Sequence, residues 1–212
     1  MWAWLAMIVA ALIVGTAKTS FGGLGSVAVA LLALSIPTKE STAAALVLLI
    51  CGDIVAVLRY RRNADWRLLR GLLPSVIPGI VLGAVFIRLV DDLALRRVIG
   101  WLLIACVLIQ LAVTTKRYAT QRRRDATGEG EPQARPVNRL ASIVAGVGAG
   151  FTTMTANAAG PVMAVYLQLV HVDKLRFLGT SAWFYLIVNV SKTPFTAALG
   201  LFTLRVVGTA AM

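Results

Sequence analysis

One stretch of this sequence occurs twice. Of the 35 residues from Leu5 to Lys39, 11 recur without a gap 135 positions later, between Leu140 and Lys174. Biased apolar composition alone would give about three or four matches, so duplication of one unit is the better explanation. Duplication with Gly and polar residues interrupting apolar segments at corresponding places in both copies is typical of secondary transporters.

The composition places both copies in a bilayer. The 212 residues are 58% hydrophobic and 14% charged, with a mean hydropathy of +0.82, which is too apolar for a water-soluble core of this size. A net charge of +12 would suggest nucleic acid as the partner of a soluble protein. Here the basic residues cluster between apolar stretches, and topology explains them. We therefore expect the lipid bilayer, and no nucleic acid, as a partner.

Apolar runs bounded by charge predict the membrane segments 2–36, 41–58, 71–90, 94–115, 140–170, 175–201 and one from about 206. The basic pieces 59–70 and 116–139 should both face the cytoplasm. We divide the chain into a first repeat (1–115, four spans, the first broken), a basic cytoplasmic linker (116–138, flexible from its Gly and Pro content) and a second repeat (139–212).

The second repeat is shorter than the first. Met212 corresponds to Ile77 of the first copy, so counterparts of most of the third span and all of the fourth are missing. We expect either a truncated chain, the interpretation that we favour, or a homodimer that supplies the missing wall.

The first segment of each copy is too long for one straight span. A helix from Leu5 to Ile36 would measure about 48 Å, against about 30 Å of hydrocarbon, so the segment must break, tilt or fold back. Gly15–Gly25 and Gly150–Pro161 offer the breaks, and Pro161 is suited to begin a new half-helix. Unwound backbone at membrane depth needs burial or a wet cavity, which predicts that both breaks meet at an interior polar site.

Half-helices that start near Gly25 and Gly160 would point their N-terminal amides at that site, which favours a small anion. The side chains and glycines predicted to form it are Lys18, Thr19, Ser20, Gly22, Gly23, Gly25, Thr152, Thr153, Thr155, Asn157 and Gly160. A mid-bilayer lysine costs several kcal/mol unless paired or hydrated, so Lys18 is the strongest single candidate. The alternatives are that the hydroxyls and Asn157 satisfy broken backbone, and that Lys18 snorkels to an interface.

Three further polar residues lie in other spans. Asn189 and Lys192, three residues apart, share a helix face and would complete an anion site, although Lys192 is nearly as well explained as an interfacial anchor. Asp53, inside the 41–58 span, is the candidate for proton coupling. Because the sequence has no catalytic motif, metal-ligand cluster or cofactor signature, we predict no enzyme activity, no metal and no cofactor.

With these motifs in place, the chain resembles the sulfite exporter TauE/SafE family of bacterial and archaeal membrane permeases. The resemblance rests on the Gly-rich segment Gly15–Gly25, on Pro78, Gly79 and Gly83 in the third span, and on the basic linker. It rests also on Gly160-Pro161, where a new half-helix is predicted to begin, and on the Asn189-x-x-Lys192-x-Pro194 pattern. It implies a duplicated four-helix unit that transports sulfite, sulfonates or related sulfur-containing or organic anions. It also implies a multi-pass protein of the prokaryotic plasma (inner) membrane.

The prediction is therefore an all-α polytopic membrane protein with two homologous repeats, acting as a permease that moves small anions by alternating access around a midplane site. An anion channel and a non-transporting membrane scaffold are the alternatives. Four spans per copy would make the repeats parallel, whereas a re-entrant first segment would leave three crossings and make them inverted.

Overall fold

The computed structural model describes residues 38–127, 138–170 and 172–201. This part of the chain consists of helices and short connections and contains no strand, as the sequence predicted. The helices are α1 (Thr38–Tyr60), α2 (Trp66–Leu89), α3 (Asp92–Thr127), α4 (Arg139–Ala156), α5 (Ala159–Val170) and α6 (Lys174–Ala198), and a 3₁₀ helix (Arg61–Asn63) joins α1 to α2.

Four of the described helices begin at a side chain that accepts hydrogen bonds from first-turn amides; one is α3, where Asp91 accepts from the Ala94 N–H at 2.9 Å. Asp65 caps α2 by accepting from the backbone N–H groups of Arg67 (3.0 Å) and Leu68 (3.3 Å). Asn138 caps α4 and Asp173 caps α6 in the same manner. Asp and Asn at this position satisfy donors that the helix itself cannot pair, and they fix where each helix starts.

Within the described residues, α2 and the Asp92–Arg124 part of α3 are long and apolar enough to cross a bilayer. The outward face of α3 is apolar as well, with Trp101 72% and Leu108 61% exposed. A continuous exposed surface of this kind marks contact with lipid or another protein.

The helix α3 extends beyond Thr115, where hydropathy predicted its end, to Thr127. The first half of the segment that we expected to be a flexible linker is thus helical. Lys, Arg, Gln and Ala between 116 and 124 are good helix formers, and hydropathy marks the end of an apolar run rather than the end of a helix.

The helices α4 and α5 form a hairpin. They are separated by only Asn157 and Ala158, and the Ser142 hydroxyl lies 3.2 Å from the Tyr166 hydroxyl. Along one straight helix, residues 24 apart would lie about 36 Å from each other. The segment 140–170 therefore folds back, which was one of the three outcomes that its length allowed.

A glycine-lined contact joins α2 to α4. A Cβ on Gly79 would lie 3.0 Å from the Gly150 Cα, and one on Gly83 would lie 2.7 Å from the Met154 Cβ. Gly146 packs in the same way against the Leu72 carbonyl. Small residues let helix backbones approach closely in lipid. Gly79 and Gly83 therefore serve helix packing, and α2 continues through its two prolines.

The helices α1 and α6 pack against each other in opposite directions. Asp53 of α1 contacts Asn189, and Arg61, just beyond α1, accepts a hydrogen bond from the Trp183 indole. Residue numbers thus rise along one helix as they fall along the other. When the 135-residue offset is extended beyond Lys39, it aligns α1 with α6, so the predicted repeat makes these two helices counterparts.

Candidate functional site

The tip of the α4–α5 hairpin is a buried interruption of the helix. Asn157 ends α4 in the left-handed conformation (φ 51°, ψ 31°), and its N–H donates to the Thr153 carbonyl at 3.0 Å. The N–H of Ala158 donates to the Thr152 carbonyl at 3.1 Å. Asn adopts this conformation more readily than most residues, and these two bonds satisfy carbonyls at the helix end. The predicted break is therefore present at 157–158.

The side chain of Lys192 reaches this tip from α6. Its ammonium donates to the Thr153 carbonyl (3.0 Å), to the Thr153 hydroxyl (3.1 Å) and to the Asn157 side-chain oxygen. Lys192 is only 1% exposed. A buried ammonium requires acceptors for its protons, and the C-terminal end of α4 provides them together with the negative end of its dipole. The ammonium is thus directed into the protein, which favours a role in the site over the interfacial anchor that we considered as the alternative for Lys192.

The N-terminus of α5 follows directly, with Ala159, Gly160 and Pro161 all buried. The helix begins at Ala159, so Pro161 is its third residue rather than its first. That position is still compatible with proline, because first-turn amides have no partner within the helix. The Tyr185 hydroxyl of α6 donates to the Gly160 carbonyl at 3.5 Å. The tip thus combines a buried cation with the amide end of a helix.

A buried carboxylate also contacts α6. Asp53 of α1 is fully buried and accepts a hydrogen bond from the Asn189 amide at 2.5 Å. Asn189 and Lys192 share a face of α6, as their spacing predicted. One helix therefore links a buried acid from the first copy to the hairpin tip of the second.

The hydroxyls of the predicted site differ in what they contact. Thr153 turns toward Lys192, whereas Thr152 donates to the Gly148 carbonyl (2.8 Å) and Thr155 to the Phe151 carbonyl (2.9 Å). These last two hydrogen bonds stay within α4. Thr152 and Thr155 thus bond to helix backbone, which was the alternative to ligand binding for these hydroxyls.

Within the described residues, the structure brings Thr153, Asn157, Gly160 and Lys192 together and places Asn189 with Asp53 beside them. The first-copy candidates Lys18, Thr19, Ser20, Gly22, Gly23 and Gly25 lie outside the described residues. Sequence reasoning missed Tyr185 and the Ser142–Tyr166 pair. A hydroxyl within an apolar helix was the available signal, but tyrosines are common in membrane helices and do not stand out.

A family model described as Sulfite exporter TauE/SafE matches residues 7–212. Comparisons with curated proteins and with solved structures found no match. The family match covers nearly the whole chain, including the sequence windows 15–25 and 150–161 and every helix described above. It implies a membrane transporter of the sulfite or anion type. The chain belongs to the TauE/SafE sulfite exporter family.

Proposed function

We propose that this protein is a permease that moves small anions, such as sulfite or sulfonates, by alternating access around the α4–α5 tip. The observation that carries this proposal is the buried ammonium of Lys192 bound to Asn157, which lies two residues before the start of α5. A cation and a helix N-terminus at one buried point favour an anion of small size. Family membership supports the same substrate class.

An anion that binds Lys192 would compete with the hairpin tip for the hydrogen bonds that the ammonium donates. The three acceptors of the ammonium are now supplied by Thr153 and Asn157. An oxyanion that takes over one or more of these hydrogen bonds loosens the attachment of the tip to α6. Substrate binding and movement of the hairpin are then one event, which is what alternating access requires.

Asp53 is the proposed proton-coupling group. Its carboxylate is buried and held by Asn189, and Asn189 lies one helical turn from Lys192. A buried carboxylate can exchange a proton as its surroundings change between states. A change of charge at Asp53 would change the electrostatic potential at Lys192, because Asn189, which binds Asp53, lies one turn away on the same helix.

We also propose that the two copies are inverted relative to each other. The antiparallel contact of α1 with α6 supports this arrangement, because the repeat makes these helices equivalent. The hairpin of α4 and α5 supports it as well, since a re-entrant first segment leaves three crossings per copy. A site between such repeats is typical of secondary transporters.

The test is transport by the purified chain in proteoliposomes. Radiolabelled sulfite, sulfonates and carboxylates are offered with and without an imposed pH gradient. A permease shows saturable uptake and counterflow, in which unlabelled substrate inside drives labelled substrate in. Conductance without counterflow would identify a channel instead, and no flux of any of these anions would contradict the proposed function.

A further inference from the structure

A cavity of about 410 Å³ opens between α2 and α6, and its lining includes none of the residues that form the hairpin tip. It is mainly apolar, and the residues that bear on its use are Arg70, Leu73, Pro74, Ile77, Ile187 and Ser191. We name it the Arg70 groove. Its volume lies within the about 300–1,000 Å³ of small-molecule sites. Ile77 is 53% exposed, so the groove is open at the outer surface of the packed helices.

Arg70 gives the groove a positive charge at one end. Its side chain is exposed, and no carboxylate in the described part of the chain pairs with it. The segment 59–70 holds five arginines and one acid, Asp65, whose carboxylate accepts from the first-turn amides of α2. The charge at Arg70 is therefore available to an anionic group from outside the chain.

Two tryptophans lie near the same end of α2 as Arg70. Trp66, one helical turn before Arg70, is 44% exposed, and its ring lies 5.2 Å from that of Trp183 on α6. Tryptophans are enriched where lipid headgroups meet the hydrocarbon. Their position at the Arg70 end of α2 places the guanidinium at headgroup depth and the remaining lining deeper in the hydrocarbon.

We propose that the Arg70 groove binds an anionic phospholipid. The phosphate of the headgroup contacts the Arg70 guanidinium, and one acyl chain lies along Leu73, Ile77 and Ile187. Guanidinium pairs well with phosphate, and the surplus of arginines selects an anionic headgroup over a zwitterionic one. This site is separate from the proposed anion site, and it does not depend on transport activity.

The test measures thermal unfolding of the full chain in detergent with added lipid. Phosphatidylglycerol should raise the unfolding temperature by about 2–4 °C more than phosphatidylcholine, as expected for one basic residue at a membrane surface. Arg70→Gln should remove this difference, whereas Arg88→Gln, at the opposite end of α2, should keep it. Ile77→Trp, which fills the groove from an exposed position, should also remove it.

Three outcomes would overturn the proposal. An undiminished difference between the two lipids in Arg70→Gln would show that the headgroup binds elsewhere. An equal effect of both lipids would show that charge is not recognised. A similar rise with free glycerol phosphate would show binding of a phosphate without its acyl chain.

Discussion

The Lys192 ammonium donates a hydrogen bond to the Asn157 side chain, so that α6 holds the tip of the hairpin formed by α4 and α5. Asn157 and Lys192 are 35 residues apart in sequence, and both are buried. This single contact joins the break in the helix to the buried cation in α6.

Lys192→Met is expected to reduce anion flux at least about tenfold, because it removes a charged hydrogen-bond donor contributing about 1.5–3 kcal/mol. The measurement is sulfite counterflow in proteoliposomes. Lys174→Met, on the exposed first turn of the same helix, is the matched control and should keep normal flux. Normal counterflow in Lys192→Met would remove this lysine from the site.

Asp53→Asn is expected to separate coupling from binding. The amide keeps a similar shape but cannot lose a proton, so uphill uptake driven by a pH gradient should be lost while downhill counterflow continues. Asp92→Asn, exposed at the first residue of α3, is the control. Unchanged pH-driven uptake in Asp53→Asn would show that this carboxylate does not couple transport to protons.

Gly79→Ala is expected to destabilise the fold by about 1–3 kcal/mol, as overpacking does. The new Cβ would lie 2.9 Å from the Phe151 nitrogen and 3.0 Å from the Gly150 Cα, and backbone atoms cannot move aside cheaply. Gly100→Ala meets no atom within 4 Å and should be neutral or stabilising by up to about 1 kcal/mol. Thermal unfolding in detergent compares the two, and equal melting temperatures would contradict close packing at Gly79.

Single cysteines at Asn63, Asp91 and Asp173 test the orientation of the copies. In the structure, Gly179 near the start of α6 packs against Asn63, so Asp173 and Asn63 should be labelled from the same side of the membrane. Asp91 should be labelled from the other side. The background is Cys51→Ser with Cys106→Ala, and impermeant maleimide applied to oriented vesicles is the reagent. Labelling of Asp173 and Asp91 from one side would favour parallel copies.

Lys18→Ala is expected to abolish anion uptake while membrane insertion stays intact. This residue lies outside the described residues, and the prediction comes from the cost of a lysine at membrane depth. Uptake is compared with the amount of protein recovered in the membrane. Unchanged uptake would exclude Lys18 from the site.

Hydropathy located the helices well but not their directions. The predicted spans 41–58 and 71–90 agree with α1 and α2 to within a few residues, because apolar runs bounded by charge mark the hydrocarbon. The break in 140–170 was predicted because the segment is too long for one span and because polar residues and glycines interrupt it between Gly150 and Gly160. Whether the chain then continued or turned back depends on the packing of α4 with α5, which apolar periodicity does not encode.

The candidate site was predicted as residues and not as contacts. Lysine and asparagine in apolar spans identify Lys192, Asn189 and Asn157, since such groups are rare there. Which of them meet depends on the antiparallel crossing of α1 with α6 and on the hairpin. Counting residues from the start of the last predicted span suggested an interface for Lys192, because such a count does not include the hairpin tip that packs against this part of α6 and buries it.

The glycine contact between α2 and α4 fastens one arm of the second copy's hairpin to a helix of the first. Backbones that touch at Gly79 and Gly150 cannot slide past each other without collision. In the transport cycle that we propose, the pieces that shift would therefore not be the two predicted repeats. The boundary between the moving bodies would run through each repeat, with α2 and α4 moving together on one side of it.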